Sequence, residues 1–499
     1  MLGVILIGVI LISIYVWQKI SLSYWKRRGV PGPKPCPFVG NIGRHLIGKC
    51  TLGKIMQDIY KQYESYPFVG LYRATKPVLL VRDPDMIYEV LVKNFQSFRN
   101  NEFYLEQKSD QLFAHNPFLL RDKEWKDTRH LVTPGMTSGR MKAMYPILKI
   151  VAKNFVKFIE NHPTASTDGI ESRQLTKRLT IDYVAKSAFG IDSKSFDSYE
   201  DISEFNKLAN QFLSPGTAFS FVFMLAQIFP VIIRMNALKL VSKNLESRLV
   251  EIISEVVEYR KKNNVQGKEY LQFLIDLSEE KHFGIKTIAG HASTFFLDAY
   301  ETTSLVLSHL LLNLAQYPEY QDKIREEIRK HELENGGELT YEAIHDMPWL
   351  DACFYESFRY TPAADIQAKL CTEAFEYTPT NPDFKNMTVK LTPGDVVILP
   401  FGIICKDPKY FENPNKFMPE RMFNKDQFLK STFSPFSEGP RACIGRRLGI
   451  MQAKLGAAVI LKNFRLSVSP KLQQPISYYP YHPLNEVKGG FWIIYTKIE

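Results

Sequence analysis

The sequence predicts one large, mainly α-helical domain with small β-sheets, preceded by an N-terminal transmembrane anchor. The chain has 499 residues, of which 45% are hydrophobic and 23% charged, and this globular composition can build a sizeable core. Residues 1–17 carry no charged side chain. From about residue 40 the hydrophobic periodicity is helical, and shorter strand-like runs lie at 69–81, 387–400 and 488–497.

The first 24 residues are interpreted as an uncleaved signal anchor. The uncharged run and residues 18–24 together approach the about 20 residues that cross a bilayer. Lys26, Arg27 and Arg28 follow the run, whereas a cleaved signal peptide carries its positive charge before it. Because positive residues stay in the cytosol, we expect a lumenal N-terminus and a cytosolic body. The alternative is a buried core helix.

Residues 25–39 are predicted to form a basic, proline-rich linker. Four prolines at alternate positions in VPGPKPCPFVG exclude a helix and favour a stiff spacer. No internal repeat and no second linker follow, so residues 40–499 are interpreted as one domain. The strongly apolar segment 219–233 is either core or a second membrane-contacting patch.

Charge and cysteine usage narrow the class of protein. A net charge of +10 indicates a solvated basic surface, or else an anionic membrane or acidic protein partner. Nucleic acid is not an expected partner, because no long Lys/Arg run or nucleic-acid motif is present. The six cysteines include no C-x-x-C pair, which argues against a zinc ribbon and favours a reducing compartment.

One cysteine lies where a loop enters a helix. The residues before Cys443 are rich in proline, serine and glycine, and residues 446–463 have helical periodicity without proline. Backbone N–H groups and the helix dipole at such a junction lower the pKa of a thiol and stabilise a thiolate. The pattern therefore favours a thiolate ligand or a reactive cysteine, with an inert buried cysteine as the alternative.

The neighbours of this cysteine suit a flat, anionic ligand. Gly439 and Gly445 allow tight turns and close approach of such a ligand to the backbone. Arg441 is placed to pair with an anionic group on it. Phe436 can pack against the sulfur or shield it from water.

Together these positions satisfy the spacing F-x-x-G-x-R-x-C-x-G, and the segment resembles the haem-binding loop of cytochromes P450. The resemblance implies the P450 fold, with haem b (iron protoporphyrin IX) as cofactor and the thiolate of Cys443 as the axial ligand of its iron.

A long apolar helix is predicted over residues 285–320, ending near Pro318. It carries a polar stripe at i, i+3 and i+4 spacing, made of His291, Thr294, Asp298, Glu301 and Thr302. The alternative interpretation of the stripe is a packing seam between helices. DAYETTS within it resembles the distal signature of the family, which implies that Glu301 and Thr302 form an acid–alcohol pair that delivers protons.

Asp298 departs from that signature, which usually has a small residue there. Its carboxylate faces the distal pocket in this interpretation. It either binds a basic or hydroxylated substrate or pairs with a nearby donor.

Further segments resemble the family in the expected order. Glu356 and Arg359, with Arg421, resemble its structural E-x-x-R network. Trp125 and Arg129 resemble the W-x-x-x-R of a helix that contacts the haem propionates.

Two positions depart from the family pattern near the haem edge. Lys369 stands where many relatives have a further propionate-binding arginine; it keeps the charge without bidentate geometry. Cys405 replaces a common histidine.

Over nearly its whole length, from the predicted anchor to the final strands, the chain resembles microsomal animal P450s, of the insect branch related to xenobiotic-metabolising enzymes. The resemblance implies a monooxygenase of the endoplasmic reticulum membrane, on its cytoplasmic face. It would insert one atom of O2 into a lipophilic xenobiotic, hormone or lipid. Segments implied to contact the substrate are 101–118, 210–230, 291–302, 362–368 and 476–480.

The resemblance also implies a separate electron donor. No G-x-G-x-x-G follows a strand, so the chain has no dinucleotide motif of its own. NADPH–cytochrome P450 reductase is the expected partner, with cytochrome b5 as an additional candidate. Basic residues near the cysteine either steer an acidic reductase surface or serve solubility alone: Lys123, Lys126, Arg446 and Arg447.

Two other functions stay open at this point. One is a P450 relative that rearranges peroxides or dehydrates its substrate, although such enzymes often lack the acid–threonine pair. The other is a haem-binding sensor or degenerate paralogue without turnover.

Overall fold

The computed structural model describes residues 2–105, 112, 115–200, 202–213, 218–229 and 242–498. Its α-helices are α1 Leu2–Ser21, α2 Tyr24–Arg27, α3 Gly43–Leu46, α4 Leu52–Gln62, α5 Pro84–Tyr88, α6 Asp122–Val132, α7 Ser138–Glu160, α8 Ser172–Val184, α9 Glu204–Leu213, α10 Ala218–Ile228, α11 Lys243–Asn263, α12 Tyr270–Lys281, α13 Ile285–Gln316, α14 Glu319–Glu334, α15 Tyr341–His345, α16 Pro348–Tyr360, α17 Phe401–Ile404 and α18 Arg446–Asn463.

The strands are β1 Phe68–Arg73, β2 Lys76–Val81, β3 Asn100–Asn101, β4 Ile170–Glu171, β5 Gln367–Leu370, β6 Phe375–Tyr377, β7 Val389–Leu391, β8 Val396–Leu399, β9 Phe464–Val468 and β10 Trp492–Lys497. They form a five-stranded sheet in the order β1-β2-β8-β5-β3, a three-stranded sheet β4-β10-β9 and the pair β6-β7. The predicted class, mainly helical with small sheets, is confirmed.

Helix α13 passes through the centre of the main core. It has 32 residues, which makes it about 48 Å long at 1.5 Å per residue. Most of its side chains are buried, and it packs against α8, α11 and α18. The helix ends at Gln316, just before Pro318, because proline cannot continue the backbone ladder. The predicted helix is confirmed, and its length brings the polar stripe to the middle of the molecule.

The five-stranded sheet separates two smaller apolar clusters. In the β1–β2 hairpin, Phe68 lies opposite Val81 and Arg73 opposite Lys76. Side chains alternate across the strands, so that Phe68 and Tyr72 enter one cluster while Val69 enters the other. The predicted strand run at 69–81 is this hairpin.

The predicted linker is held against the sheet at Trp25 and Pro31. Trp25 is 2% exposed, and its indole Nε1 donates to the carbonyl of Leu71 at 3.1 Å. A Cβ on Gly70 would lie 2.4 Å from the Trp25 ring, so only glycine leaves room for it. The amide of Gly70 donates to the carbonyl of Pro31 at 2.8 Å. The angle of this segment is therefore set by packing, in addition to the stiffness of its prolines.

The anchor predicted over residues 1–24 is not found as a membrane span. Within the described part of the chain, no helix combines the length and the apolar character needed to cross a membrane.

The apolar segment 219–233 is described only as far as Phe229. Met224 and Ile228 on α10 are buried in the cluster beneath the sheet, whereas Phe221 and Phe229 are exposed. The described part therefore contributes to the core and also presents apolar surface, and residues 230–233 lie outside the described residues.

Candidate active site

The loop around Cys443 is closed by backbone contacts. The amide of Cys443 donates to the carbonyl of Phe436 at 2.8 Å, and a short 3₁₀ turn over Gly439–Arg441 lies between them. Gly439 has φ +72°, and a Cβ there would lie 2.0 Å from the Leu91 carbonyl oxygen. Glycine is therefore required at Gly439, as predicted. The carbonyl of Phe436 thus closes the loop by accepting from the Cys443 amide. The Phe436 ring packs on the Phe358 ring, with 5.2 Å between the ring centroids.

Gly445 has a different role from the one predicted. Its φ of −83° is accessible to any residue. A Cβ at Gly445 would meet no protein atom within 4 Å. The backbone at Gly445 thus needs no tight turn, and the open space beside it is compatible with a ligand that lies close to the backbone.

The Cys443 side chain is accessible to solvent, although protein atoms surround its sulfur closely enough for burial to affect its ionisation. Burial raises the pKa of the Cys443 thiol, and this outweighs the opposing effects of the Gly445 backbone N–H and of Arg129. The predicted lowering of this pKa is therefore wrong for the protein alone. A bound metal cation would deprotonate a thiol in this setting.

Arg441 is held over the ring of Trp125. Its guanidinium carbon lies 4.3 Å from the ring centroid, and Trp125 is itself buried. The guanidinium also donates to main-chain and side-chain oxygens: to Pro117 O at 3.1 Å, to Leu120 O at 2.8 Å, to Asn100 Oδ1 at 3.4 Å and to Arg99 O. Burial lowers the pKa of Arg441 to about 9, and Arg129 adds to this effect.

Two further cations approach the same loop. Arg129 on α6 donates to the carbonyl of Ala442 at 2.8 Å. Lys369 on β5 is 1% exposed, and its Nζ donates to Asn101 Oδ1 at 2.8 Å. Burial lowers the pKa of Lys369 to about 7, and the charge of Arg441 contributes. The structure thus brings together the cations that the sequence assigned to the haem edge.

These residues fit a haem. Arg129, Lys369 and Arg441 form no ion pair with a described residue, and burial lowers the pKa of both Lys369 and Arg441. Two carboxylates, as on a protoporphyrin, would match this set. The accessible sulfur of Cys443 lies on the adjoining loop.

Thr302 and Asp298 are the accessible positions of an otherwise buried stretch of α13. The Thr302 hydroxyl donates to the backbone carbonyl of Asp298 at 2.7 Å. The negative charge of Asp298 raises the pKa of Cys443, so the carboxyl lies close enough to the thiol for the two groups to interact electrostatically. Asn116 Nδ2 donates to both carboxyl oxygens of Asp298, at 3.1 and 3.2 Å. For Asp298 the sequence predicted either a contact with substrate or a pairing with a nearby donor, and Asn116 is such a donor.

Glu301 does not face Thr302. Its carboxylate forms ion pairs with Arg173 and with Lys177, the second at 3.4 Å, and all three side chains are buried. Adjacent residues of a helix point about 100° apart, which explains why the carboxylate and the hydroxyl diverge. Burial raises the pKa of Glu301, but the two cations outweigh it, so the pKa lies below its ordinary value. The predicted acid–alcohol pair is not formed in this structure.

The predicted contacts of the E-x-x-R network, between Glu356, Arg359 and Arg421, are present in the structure. Arg359 donates twice to Glu356, at 2.8 Å each, and both side chains are fully buried. Arg421 Nε lies 3.3 Å from Glu356. Arg359 also donates to the carbonyl of Cys405 at 2.9 Å. The network joins α16 to the segment that precedes the cysteine loop.

Sequence reasoning missed the partners of the two acidic residues. Arg173 and Lys177 lie four residues apart on α8, so their side chains share one face of the helix. Because both cations are buried, they require a buried anion as a partner. Asn116 gave no comparable signal, because it lies in a loop distant in sequence from Asp298.

The predicted basic surface is present near the loop. Lys126, Arg446 and Arg447 are exposed, whereas Lys123 is paired with Asp127. The contact between Arg129 and Ala442 joins α6 to this loop, so cations from α6 and α18 lie on neighbouring elements.

Comparison with known proteins agrees with the site. The family model Cytochrome P450 matches residues 30–486. The chain is similar to Probable cytochrome P450 28a5 of Drosophila melanogaster, with 33% identity over 98% of this chain and 97% of the relative. It is also similar to Probable cytochrome P450 6d5 of the same fly (32%; 94% of each chain) and to Cytochrome P450 9e2 of Blattella germanica (29%; 98% and 96%). The chain therefore belongs to the cytochrome P450 family, whose members are monooxygenases with haem b as their cofactor.

Proposed function

We propose that the protein is a haem-thiolate monooxygenase that inserts one atom of O2 into a lipophilic small molecule, a xenobiotic or an endogenous hormone or lipid. The observation that carries the proposal is the accessible sulfur of Cys443 within electrostatic reach of Asp298 on α13, beside three cations that form no ion pair with any described carboxylate. Apolar side chains from the segments assigned to substrate, Phe103, Ala363 and Tyr478, pack partly buried against the main core, which supports a lipophilic substrate.

Each residue has a stated task in this proposal. Haem b bound by Cys443 supplies the activation of O2. Lys369, Arg441 and Arg129 bind the propionates, and Trp125 supports the guanidinium of Arg441. Phe436, Gly439 and Gly445 shape the cysteine loop.

The accessible Thr302 hydroxyl holds a proton at Oγ1, which it donates to the Asp298 carbonyl in this structure. Glu301 positions α13 through its ion pairs with Arg173 and Lys177 and does not reach the substrate in this arrangement.

We also propose that the protein acts at the endoplasmic reticulum membrane with its body in the cytosol. Residues 1–24 and 25–39 then form a membrane-associated segment and its connection to the catalytic domain, 40–499. Two observations support this. Helix α1 exposes apolar side chains such as Leu6 and Ile12, at 62% and 65%, and Lys26, Arg27 and Arg28 follow it.

Vesicle flotation of the full chain tests the membrane proposal. Leu6→Glu with Ile12→Glu should abolish flotation. Leu333→Glu, at a leucine that is 86% exposed on α14, should leave it unchanged. Equal flotation of the double variant and the wild type would overturn the proposal.

The proposed electron donor is a membrane-bound NADPH–cytochrome P450 reductase, with cytochrome b5 as an additional donor. The exposed cations Lys126, Arg446 and Arg447 support an acidic docking partner. Arg447→Glu should slow electron transfer and weaken its dependence on salt.

The proposed activity is tested by reconstitution in vesicles with NADPH, reductase and isotopically labelled O2. A panel of lipophilic compounds should yield a product that carries one labelled oxygen atom, and only when reductase and NADPH are both present. The Cys443→Ala variant is the matched control and should give none. Product that appears from peroxide alone, or that carries oxygen from water, would favour a rearranging or dehydrating relative and refute the proposal.

A further inference from the structure

The Asp298 carboxyl is accessible to solvent although protein atoms surround it, so it lies in an internal recess and not at the outer surface. Its neighbours on α13, Leu297 and Ala299, are 5% and 9% exposed, whereas Asp298 itself is accessible. Thr302, one helical turn later, is the next accessible position, and its hydroxyl donates to the Asp298 carbonyl. Both side chains therefore face the same space, in which the proposed function places the substrate.

This carboxyl is held in position. Asn116 Nδ2 donates to both of its oxygens. Asn116 is itself buried, and its Oδ1 accepts a hydrogen bond from the amide of Phe118 at 2.8 Å. A carboxylate offers about four lone-pair sites, so one amide group orients it and leaves it able to accept further hydrogen bonds.

No described lysine or arginine neutralises this carboxyl. The titratable side chains on the surrounding elements are His115 on the Asn116 loop, His291 on α13, Tyr270 on α12 and Cys443. Burial lowers the pKa of both histidines, which are therefore neutral near neutral pH. Burial also raises the pKa of Asp298 to about 7, against the hydrogen bond from Asn116.

We propose that Asp298 is a specificity-determining residue that selects substrates carrying a protonated amine. Its carboxyl is accessible beside Thr302, is oriented by Asn116, and forms no ion pair with a described lysine or arginine. A cation placed there supplies the missing counter-charge and restores ionisation of the acid. A neutral hydroxyl gains less, because charge-assisted hydrogen bonds are about twice as strong as neutral ones. The inference rests on the proposed function and adds a substrate class to it.

Binding to the holoenzyme tests this inference without turnover. The probes are a diisopropylalkylamine with a terminal phenyl group, its hydrocarbon isostere with CH in place of nitrogen, and the corresponding alcohol. The bulky substituents prevent the nitrogen from reaching the iron. Equilibrium dialysis should show that the amine binds about 10- to 100-fold more tightly than the hydrocarbon, with the alcohol in between.

Variants assign the preference to Asp298. Asp298→Asn should remove the amine preference and leave hydrocarbon binding within about threefold. Asp298→Glu should retain part of the preference. Asp192→Asn, which removes a carboxylate that is 67% exposed at the surface, should leave it intact and controls for net charge.

The pH dependence of the wild type gives a second test that needs no variant. The acid accepts the cation only when it is ionised, so the amine preference should fall as pH drops from about 8 to about 5.5, while hydrocarbon binding stays constant.

Three results would overturn the inference: no amine preference in the wild type, an equal loss of amine and hydrocarbon binding in Asp298→Asn, or a preference independent of pH. A normal carbon monoxide spectrum in the same preparations would show that the proposed haem-thiolate function survives such a failure.

Discussion

Replacing Arg359 by methionine removes the donor that neutralises Glu356 at the centre of the α16 network. Arg359 is fully buried, and it donates twice to Glu356 and once to each of three carbonyls, on Cys405, Pro414 and Lys416. Methionine fills a similar volume and donates nothing. Glu356 then keeps Arg421 at 3.3 Å as its remaining cationic partner in the described chain.

The expected loss follows from these contacts. Removing one partner of a buried ion pair costs about 3–5 kcal/mol. Each buried carbonyl left without its donor costs about 1–3 kcal/mol. Allowing for relaxation and for Arg421, the loss in the free energy of unfolding is at least about 5 kcal/mol, which is comparable with the whole stability of an ordinary domain, about 5–15 kcal/mol. Arg359→Lys keeps the charge without the bidentate geometry, so its loss should be about half as large.

Urea denaturation of the holoenzyme, followed by circular dichroism, measures this loss through the midpoint of the transition. Glu356→Gln combined with Arg359→Met should be more stable than Arg359→Met alone, because no buried carboxylate is left unpaired. The reasoning is refuted if Arg359→Met lies within about 1 kcal/mol of the wild type, or if the double variant is no more stable than the single one.

Three further predictions concern the cysteine loop, the linker and the distal helix. Gly439→Ala introduces a Cβ 2.0 Å from a backbone oxygen, so the purified protein should retain little haem, measured as haem per chain; full occupancy would contradict the role of this glycine. Trp25→Ala should lower the free energy of unfolding by about 3–5 kcal/mol, measured by urea denaturation, and a change below about 1 kcal/mol would show that the linker does not depend on this side chain. Thr302→Ala should uncouple NADPH consumption from product formation, whereas Glu301→Gln should chiefly lower the urea midpoint, because it breaks a buried ion pair; stronger uncoupling in Glu301→Gln than in Thr302→Ala would restore Glu301 to the proton relay.

Local sequence patterns predicted the elements that carry the site. The helical periodicity before Pro318 predicted α13, and the change from a proline- and glycine-rich loop to a periodic run predicted α18 directly after the cysteine. The strand run at 69–81 predicted the β1–β2 hairpin. In each case neighbouring residues determine the outcome, so the sequence is sufficient.

The misassigned features depend on contacts between distant segments. The spacing of Glu301 and Thr302 fixes their positions on α13, but the direction of the Glu301 carboxylate is set by Arg173 on α8. Likewise, the pKa of Cys443 depends on how deeply the loop is buried, which the loop sequence does not contain. The contact of Trp25 with Gly70 joins residues that no local pattern relates.

The central claim is that Cys443 holds haem b through its thiolate, and the carbon monoxide difference spectrum of the reduced protein in membranes tests it most directly. The account predicts the red-shifted Soret band that a thiolate ligand produces, and its loss in Cys443→Ala. An imidazole-like band from folded protein would mean that the thiolate is not the ligand. The absence of any haem signal from folded protein would contradict the account altogether.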